Sequence, residues 1–133
     1  MDLLVNIDVD DLEHAVAFYT SAFDLRVGRR LFEGSVVELV GASSPLYLLS
    51  KRSGSVAVPS TTHTRNYARH WTPVHLDFTV DDMPAAVERA TRAGAKLEHE
   101  IESFPWGELA TLSDPFGHGF CLVKFAREGY GAA

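Results

Sequence analysis

Two pairs of polar residues in this sequence share a spacing that lets them act together. His75 and Asp77 stand two residues apart, and so do Asn6 and Asp8. In an extended strand, residues i and i+2 point to the same face. A histidine beside a carboxylate on one face offers two chemistries. One is an imidazole held by a hydrogen bond, and the other is a pair of donors for a divalent cation. A catalytic metal needs about three protein ligands and an open position. Asp8, which shares the face of His75 with Asp77, is a further candidate donor, while Cys121, the one cysteine of the chain, reads as a small buried thiol on a strand. For His75 the simpler expectation is a pocket histidine bonded to Asp77 or to a nearby carbonyl.

A repeat positions these pairs. Val80-Asp81-Asp82-Met83 followed by Ala86-Val87 matches Val9-Asp10-Asp11-Leu12 followed by Ala15-Val16 at a constant offset of 71 residues. A fixed period of this kind signals a duplicated unit, and it aligns Asn6 with Asp77. Leu3–Val9 and Val74–Val80 alternate apolar and polar residues, as strands with one buried face do. The second Asp of each pair stands where a helix N-cap belongs, and Pro84 falls in the first helical turn. Leu12, Ala15, Val16, Tyr19 and Phe23 make one apolar stripe. Met83, Ala86, Val87 and Ala90 make the other, with Gly94 as terminator. Further strands are predicted at 26–33, 35–41 and 45–50, and again at 95–102, 107–113 and 119–125. Gly34, the run 42–45, Pro105 and Asp114-Pro115-Phe116-Gly117 separate them. Each half thus reads β-α-β-β-β. The late strands align at an offset of 73, Gly34 with Gly107 and Leu39 with Leu112, which places Leu48 opposite Cys121. Segment 51–73 has no sustained period. It links the halves and is a candidate cover carrying His63, His70 and Trp71, with a solvated loop as the ordinary alternative.

Composition narrows the function classes. The chain has 133 residues, is 46% hydrophobic and carries a net charge of −6. That charge argues against nucleic acid or an anionic membrane as partner, since both call for a basic surface. One cysteine allows no internal disulfide and suits a reducing compartment. No apolar run approaches a membrane span, and Met1-Asp2 opens no signal peptide, so a cytoplasmic location is expected. No nucleophile elbow, phosphate-binding Gly-Lys-Ser/Thr loop, Cys-x-x-Cys or dinucleotide fingerprint is present.

The whole pattern outside 51–73 resembles the vicinal oxygen chelate superfamily, the glyoxalase/bleomycin-resistance/dioxygenase proteins. Val9-Asp10-Asp11-Leu12, Ala17-Phe18-Tyr19, His75 with Val80-Asp81-Asp82, Gly94-Ala95 and Asp114-Pro115-Phe116-Gly117 carry the resemblance. Pro105-Trp106-Gly107 also looks like a stretch in bleomycin-binding members. The resemblance implies an α+β fold over residues 1–133. Two β-α-β-β-β modules, 1–50 and 74–126, would form a cupped mixed sheet with helices outside, joined by the linker 51–73. It also implies a homodimer. Metal-using members place four ligands at positions that map here to Leu4, Leu48 or Tyr47, His75 and Cys121. Of these, only His75 is a residue the family usually offers there. Leucine cannot ligate, and a thiolate suits Mg²⁺ or Mn²⁺ poorly. The expectation is therefore a protein without a metal cofactor (His75 being the ligand if there is one) that binds a small aromatic or cationic molecule, as antibiotic-sequestering relatives do. Asn6, Asp8, Tyr47, His75, Asp77, Trp106 and Cys121 are the expected ligand contacts, with Trp106 as aromatic anchor. The alternative is a lyase, isomerase or ring-cleaving dioxygenase dependent on a divalent metal ion.

Overall fold

The computed structural model describes residues 1–132. The chain forms two compact units, Met1–Ala68 and Arg69–Ala133. In the first, β1 (Val5–Val9) leads into α1 (Leu12–Ala22), followed by β2 (Arg26–Leu31), β3 (Val36–Val40) and β4 (Leu46–Ser50). These strands make one sheet in the order β1-β4-β3-β2, with β1 parallel to β4 and the other pairs antiparallel. A parallel pair needs a long crossover, and α1 with the β2–β3 hairpin supplies it. Asp11 caps the helix as its spacing predicts, its carboxylate accepting from His14 N–H at 3.1 Å. The helix buries Ala15, Phe18, Tyr19 and Ala22. Ile7, Val9, Val37, Leu39, Leu46 and Leu48 are the buried apolar residues of the sheet. The stripe is rotated from the sequence reading: Leu12 and Val16 are half-buried, and Phe18 takes the central place. Its ring meets Tyr19 and Phe23 edge-on at 5.0 and 6.2 Å, which gives the aromatic residues the core contacts.

The second unit repeats the plan. It holds β5 (Leu76–Thr79), α2 (Met83–Ala93), β6 (Lys96–Leu97), β7 (Glu102–Phe104), β8 (Gly107–Ser113) and β9 (Gly119–Phe125). The sheet runs β5-β9-β8-β6, with β7 also on β8, and β5 is parallel to β9. Asp82 caps α2 by accepting from Ala85 N–H at 3.0 Å. Gly94, at φ +122°, ends it. Two helices and two mixed sheets make this an α+β fold.

Two elements depart from expectation. The strand predicted over 95–102 is two short strands: Glu98 N–H still bonds Thr111 O at 2.9 Å while its carboxylate meets Trp71 and Arg69, and residues 99–101 belong to no strand. The strand predicted to reach residue 33 stops at Leu31, where Phe32–Gly34 forms a tight 3-10 turn with Phe32 and Glu33 at φ +51° and +55°. Residues 51–68 are tied down without regular structure. Gly54 N–H bonds Arg65 O and Arg65 N–H bonds Ser55 O, both at 2.8 Å. Arg65 also donates to Val56 O and to the Asp8 carboxylate, each at 2.6 Å.

Candidate functional site

In the second unit, the parallel register sets Asp77 of β5 directly beside Cys121 of β9. His75 precedes β5 by one residue and shares the face of Asp77. Its Nε2 lies 3.3 Å from Asp77 Oδ1. The imidazole nitrogen, the carboxylate oxygen and the Cys121 sulfur all lie within 4.8 Å of one another. The cysteine is the floor of this group at 6% exposure, while the His75 and Asp77 side chains are 44% and 41% exposed. Burial, then the neighbouring Asp77 charge, pushes the thiol up to about 11. Cys121 is therefore a protonated donor to Asp77 at neutral pH and a poor nucleophile.

One end of this face is closed by Trp71. His70 N–H bonds Gly117 O at 2.9 Å and Gly119 N–H bonds His70 O at 3.0 Å, which fastens the segment to the start of β9. The indole N–H donates to Glu98 Oε2 at 3.2 Å, and Arg69 meets the same oxygen at 2.9 Å. The indole lies over Gly119, where an added Cβ would fall 2.4 Å from Cδ2 and Cε2. Trp71 and His75 meet at 5.5 Å, inclined at 65°.

The first unit has an equivalent open face. Asn6 pairs with Tyr47 and Asp8 with Leu49. Beyond Tyr47 lies Glu38 of β3, only 7% exposed. Arg29 grips its carboxylate through two hydrogen bonds, and Tyr47 Oη donates to it at 3.0 Å. The Arg29 guanidinium holds the Glu38 carboxyl below its usual range. Gly28 leaves the space this needs, since a Cβ there would fall 2.6 Å from Glu38 Oε1. Asp8 is engaged by Arg65.

The registers also correct an alignment. Asn6 is the repeat partner of Asp77, and their strand neighbours are Tyr47 and Cys121. Tyr47, and not Leu48, is thus the counterpart of Cys121. Leu48 is fully buried on the other side of the sheet. The cause is a hairpin one residue longer in the second unit: Leu39 closes on Leu46, whereas Leu112 closes on Phe120. Leu4 lies outside β1 and is 55% exposed.

Trp106 is not among the residues brought to His75. It sits in the β7–β8 turn, stacked on Phe104 at 4.9 Å and 4°, with Tyr130 at 5.4 Å. Gly107, the next residue, pairs with Phe125 while Thr111 pairs with Cys121. Four residues of strand, roughly 13 Å, separate the two levels. Arg29, Glu38, Arg65 and Trp71 are missing from the sequence-based site. A glutamate within the apolar run Val36-Val37-Glu38-Leu39-Val40 was a readable sign for one of them.

Comparison with known proteins agrees with this architecture. A family profile for the glyoxalase-like domain matches residues 4–123. An uncharacterized protein of Mycobacterium bovis is 31% identical over 125 residues, covering 90% of this chain and 80% of that one. The anthracycline biosynthesis protein DnrV of Streptomyces peucetius is 44% identical over 64 residues, 48% of this chain but only 22% of that protein. The crystal structure of the fosfomycin resistance protein FosX from Listeria monocytogenes shares the fold, with a TM-score of 0.72 at 18% identity over 95% of this chain and 91% of that one. Among the described residues no helix is long and apolar enough to cross a membrane. With the profile spanning nearly all of the β-α-β-β-β repeat, the chain belongs to the glyoxalase-like domain family.

Proposed function

We propose that this protein binds a small planar aromatic molecule on its open strand faces, without the metal centre that metal-using superfamily members build. One observation carries the reading. At the two first-unit positions where the resemblance calls for metal ligands, Leu4 is apolar and the Tyr47 hydroxyl is given to the Glu38 carboxylate. What remains of that set is one imidazole and one protonated thiol, which does not fit a hard divalent cation. Relatives named for anthracycline biosynthesis and fosfomycin resistance support an antibiotic-like ligand, and the first of these favours a polycyclic aromatic one. A cytoplasmic location and a homodimer belong to the same reading. The acidic balance and single cysteine support the former. Exposed apolar residues at the strand entries, Leu3, Leu4 and Val74, support the latter.

Calorimetric titration of chelator-dialysed protein with daunorubicin and proflavine tests this reading. Saturable binding that survives dialysis is expected. Binding only after a metal ion is restored, or no saturable binding of any planar compound, would overturn it.

A second reading has its own support. His75, Asp77 and Cys121 present three unlike donors to one point. Two ligands each about 2.0–2.1 Å from a tetrahedral ion lie about 3.3–3.4 Å apart, and His75 Nε2 and Asp77 Oδ1 are 3.3 Å apart. A rearranged site of this kind favours a metal-dependent lyase, isomerase or dioxygenase, and the metal content of the protein decides between the readings.

A further inference from the structure

We propose that Trp71 is the stacking platform of the ligand site and that Asp77 selects ligands carrying a positive charge, so that the preferred ligand is a planar aromatic cation. This rests on the small-molecule reading above and names the ligand class for that site. Three independent contacts fix the indole. Its N–H is held by Glu98 at 3.2 Å, its ring meets the His75 imidazole at 5.5 Å and 65°, and its fused-ring bond lies against the backbone of Gly119. The two atoms of that bond are equally far from where a Cβ would stand, so the ring lies face-down on the sheet. Its other face points away from the strand. A glycine at 119 is what allows this, since any side chain would lift the indole off. An aromatic surface held this way gives up little conformational freedom when a ring stacks on it.

The charged groups that select a ligand lie on the same face. Gly119 and Cys121 are alternate residues of β9, so Trp71 lies one pleat, about 7 Å, from the Asp77–Cys121 pair. Arg69 and Glu98 cancel each other beside the indole. That leaves the Asp77 carboxylate, 41% exposed, as the negative group next to the platform, with His75 beside it. A ring stacked on Trp71 puts a substituent such as an amine or ring nitrogen over Asp77. A cationic substituent there also gains from the ring face of Trp71 itself.

Proflavine, a planar cation, and anthracene-2-carboxylate, a planar anion, are suitable probes, used with single-tryptophan variants. In Trp106→Phe, where Trp71 is the remaining indole, saturating proflavine is expected to quench most of the tryptophan emission. In Trp71→Phe, with Trp106 remaining, little quenching is expected. Trp71→Ala is expected to weaken proflavine at least tenfold, and Asp77→Asn to abolish the preference for proflavine over the carboxylate. Gly119→Ala, which displaces the indole without removing it, is expected to weaken binding as Trp71→Ala does. Proflavine binding that quenches Trp106 and leaves Trp71 untouched, or equal affinity for both probes in the unaltered protein, would overturn this assignment while leaving the small-molecule reading standing. Failure of every planar probe to bind would remove both.

Discussion

At the scale of single residues, two buried ionisable groups give direct tests. Glu38 is gripped by Arg29 and by the Tyr47 hydroxyl, and its carboxyl titrates below the ordinary value of 4.5. A depressed carboxylate contributes stability above its unfolded pKa and loses it as pH falls through the folded one. The melting temperature is therefore expected to drop below about pH 4.5, and Glu38→Gln should flatten that part of the profile while lowering the plateau at pH 7. An acid limb unchanged in the variant would show that Arg29 and Glu38 are not coupled. Cys121 shifts the other way, from 9.0 to about 11. Its stabilising contribution is complete below pH 9 and lost as pH rises through 11. At pH 8 its thiolate fraction is about a hundredfold below that of the unfolded chain. Alkylation by iodoacetamide in native buffer should be slower than in urea by at least that factor. Equal rates would place the thiol outside the site floor. His75 and Asp77 were legible from strand alternation and the 71-residue offset, and Cys121 from the family resemblance, although the offset of 73 matched it to Leu48 and not to Tyr47. Trp71 was legible only as one of three residues of a candidate cover, because it lies in a segment without period, and what fixes it is a glycine 48 residues further along the sequence.

At the scale of elements, the repeat makes paired predictions. Asp11 and Asp82 cap their helices in the same way, at 3.1 and 3.0 Å. Replacing either with Ala should cost about 1 kcal/mol, with similar values for the two in denaturant melts. A large difference would mean that only one half depends on its helix start. Gly107→Ala should be more damaging than either, because φ is +150° and the new Cβ would fall 2.1 Å from Lys124 O. We expect a loss on the order of 1–3 kcal/mol, with the β7–β8 turn and the Trp106 cluster disturbed and the Cys121 environment retained. Boundaries were legible where alternation is clean, as in β8 and β9. They were not legible at 95–102, where a bend at His99 divides the strand just after the Glu98–Thr111 backbone hydrogen bond. Strand register was the harder matter. Hydrophobic alternation marks faces, but hairpin closure decides which residues pair, and one extra residue in the second hairpin exchanges Leu48 for Tyr47.

At the scale of the whole molecule, the proposed homodimer and the proposed absence of a metal centre are separate claims. β1 and β5 are each the edge of their sheet, and an unpaired edge invites contact with another chain. Leu3, Leu4 and Val74 stand at their entries with 68%, 55% and 75% exposure. Sedimentation at micromolar concentration is expected to give the mass of two chains, and a monomer there would contradict the dimer. The duplicated β-α-β-β-β plan was readable because capping, stripe and alternation agree in both halves. The chemistry was less so, since it depends on donors from neighbouring strands. The central claim is that ligand is held without a metal, and elemental analysis of protein purified without a metal-affinity tag tests it most directly. Less than a tenth of an equivalent of Zn²⁺, Ni²⁺, Mn²⁺ or Fe²⁺ per chain, after dialysis against metal-free buffer, is the result this account predicts. One tightly held ion per chain, lost on His75→Ala, would contradict it and favour the metal-dependent enzyme.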